Sequence, residues 1–299
     1  MRVVRITIPA VLLVTLLVAG CSSGAADTEG TVASEDAVTF QTPDEAITCY
    51  LEGVAEGDVD KILSACAINE AAAGFRFDLS VEHLGMARPL QDLAPSEDPF
   101  FAQISQAQLS SQICTQVKIL AYDLLALSDE EMDSLAMGLH MSASEVDGFV
   151  DDLDSGRLSD IKVEQIADVP GLDESRTQQL FSRNAAVLGA DELTERVVLF
   201  SFEGDSYYIG FRLLRYDDNW KVYEQRSMLL ATEPYGAQET TVEAFESMSE
   251  TGTTPTTSNI QDGSITIDAP DDIAALLTDG AGDDFGYYAF VDLAPQNWQ

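Results

Sequence analysis

Positive charge is scarce in this chain. Fifteen Lys and Arg stand against 52 Asp and Glu, for a formal net charge of −37. A surface of that sign repels phosphate backbones and anionic headgroups, which excludes nucleic acid as a partner. Histidine is scarcer still, with only His83 and His140. A Ser-His-Asp relay or a zinc site would have to use one of them. Both lie in helical, acid-flanked stretches (VEHLG and GLHMS) and read as surface or internally satisfied residues. His-Glu-x-x-His, Gly-x-x-x-x-Gly-Lys, Gly-x-Ser-x-Gly and Ser-x-x-Lys do not occur, so the sequence calls for no cofactor and names no catalytic residue. Asp151-Asp152-Leu153-Asp154-Ser155-Gly156 has the look of a calcium loop. Counted from Asp152, however, its sixth and twelfth places hold Arg157 and Val163, where Gly and Glu are required. Asp279 to Asp284 fits no better. No metal is expected.

Long apolar runs are also missing. Ile6 to Val18 is interrupted by Thr7, Pro9 and Thr15 and falls short of the ~20 residues that cross a bilayer as a helix. It follows Arg2 and Arg5 and ends in small residues, the build of a secretory signal. Its exit, Val18-Ala19-Gly20-Cys21, resembles the bacterial lipobox. That resemblance implies cleavage before Cys21, with 1–20 as signal peptide, and a diacylglycerol thioether-linked to the Cys21 sulfur. Together with a further fatty acyl group such as palmitate, it would hold the protein at the outer side of the membrane, since each buried CH₂ contributes ~0.8 kcal/mol.

The rest of the chain divides by composition. Residues 21–41 are small and polar and read as a flexible tether reaching ~25 Å. Residues 42–235 read as one α+β globular domain, 236–259 as a low-complexity linker, and 260–299 as a strand-helix-strand segment too small for its own core, docked on the domain or mobile.

Within the domain, Thr42-Pro43-Asp44-Glu45 is a capping box with proline at the first helical position. Ile47, Tyr50, Leu51 and Val54 follow at helical spacing. Gly57 ends this helix, Asp58 caps a second one, and the two form a hairpin carrying Cys49 and Cys66. These two are the candidate disulfide pair, the alternative being buried small apolar residues. Cys114 is then left over. Residues 69–90 give no clear period, because Phe75, Phe77 and Leu79 alternate between helical flanks. A long helix over 101–127 follows, with Ile113, Val117, Leu120, Leu124 and Leu127 on one stripe and apolar neighbours that widen it. Ser128 and Ser142 open further capping boxes, 160–169 alternates like a strand, and 172–188 is helical. Residues 195–226 form a three-stranded antiparallel meander turning at Glu203–Ser206 and Asp217–Asn219. The expected fold is a helical N-terminal half packed on an antiparallel sheet of about four strands. The meander is rich in aromatics. They form a core face or line an apolar pocket, with Tyr207, Tyr208 and Trp220 as the candidate ligand-facing residues.

ITCYLEGVAEGDVDKILSACAINE, GFRFDLSVEHLG and GDSYYIGFRLLRYDDNWKVYEQ together resemble uncharacterised exported proteins of Gram-positive bacteria. The resemblance covers about 42–90 and 195–235 and implies architecture, not chemistry. A more distant one, to the cone-shaped α+β fold of the nuclear-transport-factor and ketosteroid-isomerase superfamily, implies a helix pair closed over a curved sheet. The function expected is a non-enzymatic binding or accessory lipoprotein at the cell envelope, with an envelope protein or a small molecule as partner. The alternatives are a solute-binding receptor of a transporter, which needs two α/β lobes, and a small-molecule enzyme using a carboxylate in a sheet-lined pocket.

Overall fold

The computed structural model describes residues 38–128, 131–132, 138–230, 232 and 236–251. The signal, Cys21, most of the tether and the 260–299 segment lie outside the described residues. The architecture is α+β: helices in the N-terminal half and an open antiparallel sheet. The helices are α1 (Pro43–Glu56), α2 (Val59–Ser64), α3 (Ile68–Gly74), α4 (Phe77–Leu84), α5 (Pro99–Leu125), α6 (Ala143–Asp152), α7 (Ser175–Val187) and α8 (Val242–Thr251). The strands are β1 (Lys162–Asp168), β2 (Glu192–Phe202), β3 (Asp205–Tyr216), β4 (Asn219–Glu224) and β5 (Gln238–Thr240). Their order is β1-β2-β3-β4, with β5 also paired to β3, and every pairing is antiparallel. Among the described residues no helix is long and apolar enough to cross a membrane.

The helix starts follow the local chemistry. Thr42 and Glu45 close the capping box of α1, and Gly57 ends that helix in the left-handed region, where a β-carbon would be strained. Asp58 caps α2 through the backbone N–H of Lys61. Asp98 caps α5 with Pro99 at the first position. The ambiguous stretch 69–90 becomes α3 and α4, neither of which has a side-chain cap. Phe75, between them, is extended and buried. That placement explains an alternating pattern inside helical flanks.

The sheet separates two kinds of packing. On one face Val198, Phe200, Ile209, Phe211, Leu213 and Val222 meet Ile47, Tyr50, Leu51 and Val54 of α1 and Ile113, Leu120 and Leu124 of α5. On the other face Leu193 and Leu214 pack with Ala71, Ala72 and Phe75 beside α3, Leu109 of α5 and Phe181 of α7. Val197, Leu199 and Tyr208 pack there with Phe245 and Met248 of α8. Helix α5 thus contributes to both faces, as its wide apolar stripe predicts.

The domain limits read from composition shift at both ends. Phe40, placed in the tether, is buried. Its carbonyl accepts from Trp220 N–H and its own N–H donates to Asn219 Oδ1, both within 2.9 Å. Lys221 Nζ donates to the carbonyls of Val38 (2.9 Å) and Ser64 (2.6 Å), so β4 holds the entering chain. Residues 238–251, placed in the linker, form β5 and α8. Two apolar residues one turn apart, Phe245 and Met248, are enough to seat an otherwise polar helix.

Candidate functional site

A buried ion cluster occupies the second face of the sheet. Glu195 on β2 and Arg212 on β3 are direct cross-strand partners. Along β2, Glu195 lies between Leu193 and Val197 on the buried side, where alternation would place an apolar residue. Arg212 Nε donates to Glu195 Oε1 (2.9 Å), and Nη1 donates to Glu224 Oε1 (2.5 Å). Plain alternation along β4 puts Glu224 beside Trp220 and Val222, on the apolar face. The register shifts instead: Leu213 pairs with Val222 and Arg212 with Glu224, leaving Tyr223 as the extra residue of a β-bulge. The bulge carries Glu224 to the side of Arg212, so the buried guanidinium has two carboxylates.

Glu195 is fully enclosed and fully hydrogen-bonded. Oε2 accepts from Ser227 Oγ (2.7 Å) and Leu229 N–H (3.2 Å), while Oε1 accepts from Met228 N–H (3.0 Å). Ser227 Oγ also accepts from Leu230 N–H, and Ser227 N–H donates to Thr232 Oγ1. The loop after β4 is thereby folded down onto the sheet. It fits because position 210 is glycine. A β-carbon there would lie 2.6 Å from Ser227 Cβ and 2.7 Å from Ser227 N, and would also strike Thr232 Oγ1. Burial disfavours the Arg212 charge, but Glu224 and Glu195 outweigh it and hold the guanidinium pKa above its ordinary value.

The cluster opens into a crevice between α5, α7 and β4, edged by Asp92, Gln112, Asn184, Tyr223 and Arg226. Its volume is about 90 Å³, room for a few waters at ~30 Å³ each. Pockets for small-molecule ligands run from ~300 Å³ upward. The Glu195 carboxylate is committed to one guanidinium, one hydroxyl and two backbone N–H groups. It fixes a loop rather than facing a substrate.

The residues singled out from sequence are placed elsewhere. Tyr207 is half-buried and stacked on Phe200 at 5.7 Å, within the apolar face. Tyr208 points to the opposite face, where its hydroxyl bonds Gln238 of β5. Trp220 is buried in the first face, with the Arg215 guanidinium 5.8 Å from its ring. None of the three lines the crevice; Tyr208 and Trp220 are buried and Tyr207 packs half-buried against the core. Cys49, Cys66 and Cys114 are all free. Cys66 is buried with its thiol donating to Ile62 O, a carbonyl of the helix just before it. His83 accepts from Arg183 Nε (2.6 Å) and His140 is exposed. Asp154, in the calcium-like run, caps the 3-10 turn at Ser155–Asp160 by accepting from Gly156 N–H. Among the described residues no group of three or more His, Cys, Asp or Glu is placed to hold a metal.

What sequence reading missed was the ion cluster. The available signal was a Glu and an Arg at buried positions of paired strands, 195 opposite 212.

No family model matches this chain. No curated protein matches it. Among solved structures, a cystatin-like protein from Ruminococcus gnavus is similar at a TM-score of 0.47 and 20% identity, over 67% of this chain. The match covers 44% of that protein, less than half its length. At that level it assigns nothing to this chain beyond a distant likeness.

Proposed function

We propose that the protein is an extracytoplasmic lipoprotein, anchored through acyl chains on Cys21 and serving as a non-enzymatic binding or accessory protein at the cell envelope. The carrying observation is the run from Arg2 to Cys21: positive start, short apolar core, then Val18-Ala19-Gly20-Cys21. The tether that follows lets a strongly acidic body stand off an anionic surface.

Two features of the domain favour binding over chemistry. The apolar face of the sheet is filled by side chains such as Tyr50, Phe200 and Phe211, all fully buried. Among the described residues this face has no room for a cone-shaped cavity. The crevice beside the buried carboxylates is water-sized. The receptor alternative requires two α/β lobes, whereas the elements from 38 to 251 gather on a single antiparallel sheet.

The test is Cys21→Ala in a bacterial host that matures lipoproteins. The wild-type chain is expected in the membrane fraction and labelled by an alkynyl fatty acid, and the variant in the medium, unlabelled. Membrane retention of the variant, or an unlabelled wild type, overturns the proposal.

A further inference from the structure

Helix α5 presents an open face of unusual composition. From Pro99 to Val117 the chain has no Asp, Glu, Lys, Arg or His, although 22% of the whole sequence is Asp, Glu, Lys or Arg. The inner side of this stretch, Ser105, Leu109, Ile113 and Gln116, is buried. On the outer side Phe100 is 64% exposed, Phe101 42% and Ile104 43%. The two phenyl rings meet edge to face at 5.4 Å, leaning on each other in solvent. Leu90, 95% exposed, stands in the preceding loop, which is tied to the same helix by Ala94 N–H donating to Ser105 Oγ (3.0 Å).

An ordinary solvated helix of this protein looks different. Helix α6, with no buried residue, also exposes Val146 and Val150 but carries Glu145, Asp147, Asp151 and Asp152 within ten positions and exposes no aromatic ring. Charge depletion together with exposed aromatics is the composition of an interface centre.

We infer that this face is the docking surface for residues 285–298 of the same chain. That stretch, FGYYAFVDLAPQNW, holds Phe285, Tyr287, Tyr288, Phe290 and Trp298 with Asp292 as its one charge. It is apolar and nearly uncharged, as is the Phe100, Phe101 and Ile104 end of the helix face it would cover, on a molecule of net charge −37. Forty residues do not support a core alone, so these aromatics need a surface to bury against. The chain length permits it. Residues 252–284 separate the end of α8 from the segment. At ~3.3–3.6 Å per residue they can span on the order of 100 Å, several times the ~17 Å radius of gyration of a domain this size. A tethered segment acts at roughly millimolar effective concentration. A second copy would bring a net charge of −37 against another −37.

The experiment uses the full-length chain with benzoylphenylalanine in place of Phe101. After irradiation, a crosslink from position 101 into 285–298 at monomer mass is expected. A crosslink at dimer mass, or none within the chain, overturns the inference. Independently, Phe100→Gln with Phe101→Gln changes two exposed side chains to good helix formers and should leave the far-UV circular dichroism intact. Hydrogen exchange at the 285–298 amides should then speed up by tenfold or more. Unchanged exchange with an intact fold overturns the inference as well.

Discussion

The two faces of the sheet are built from the same strands on opposite principles. One side of β2 and β3 presents Val198, Phe200, Ile209, Phe211 and Leu213 to α1, and its two arginines, Arg196 and Arg215, are only half-buried and pair with the more exposed carboxylates of Asp44, Asp168 and Glu192. The other side interrupts its apolar packing with Glu195 and Arg212 and draws in Glu224 through a bulge. On the first face each large side chain contributes about 1.5–3 kcal/mol by leaving water. On the second, desolvation of three charges offsets much of their attraction, and the net gain over an apolar replacement is small or negative. The ion cluster therefore adds little to stability overall, but it fixes where Ser227 to Leu230 and β4 lie. Apolar contact tolerates small slips; a carboxylate with four donors does not.

Breaking the cluster on one side only is expected to have the largest effect. Arg212→Ala leaves two buried carboxylates without a cation and should cost about 3–5 kcal/mol, read as a fall in the urea midpoint. Replacing the whole cluster (Glu195→Gln, Arg212→Met, Glu224→Leu), which keeps an acceptor for the 228–229 N–H groups, should recover most of that loss. If the triple variant is no more stable than Arg212→Ala, the ion cluster is a net stabiliser and the contrast between the faces fails. Gly210→Ala should come next, at about 1–3 kcal/mol, because the new methyl group meets Ser227 and Thr232. Amides 228–230 should then exchange faster while those of α1 do not; equal loosening of both would show that the faces are not independent. On the apolar face, Ile47→Val should cost only about 0.5–1.5 kcal/mol, with exchange at 228–230 unchanged.

The smallest expected effect is on the alkaline limb. Burial raises the Cys66 thiol and the Tyr50 and Tyr216 phenols above their ordinary values of 9.0 and 10.0. The unfolded chain releases those protons first, so stability is full below pH 9 and falls as pH rises beyond it. Lys221, whose ammonium form is disfavoured chiefly by burial, acts in the opposite sense. Cys66→Ala should make the decline that begins near pH 9 shallower, leaving the share of Cys49, whose thiol burial also raises, as seen in urea midpoints at half-unit intervals. A decline just as steep in that variant would assign it to other groups.

Much of the architecture was legible from residue order. The capping boxes at Thr42 and Ser142, the stop at Gly57 and the turns of the meander are local signals, and each structure forms where its signal stands. Short helices without caps, α3 and α4, were not legible, because their stability comes from Phe75, Ala71 and Ala72 meeting α5 and α7. Nor was α8, held by two side chains. The ion cluster was hidden for a different reason. Alternation assigns faces only while the register holds, and the bulge at Tyr223 reverses the face of Glu224.

The sequence by itself settled the fold class, the place of the main helices and the run of antiparallel strands, since caps, periods and turns act over a few residues. Tertiary structure alone decided that Tyr208 and Trp220 are buried with Tyr207 stacked on Phe200, and that one arginine is shared by two glutamates. Those outcomes depend on which groups meet across 12 to more than 100 positions of chain, where burial and pairing, not local preference, set the energy.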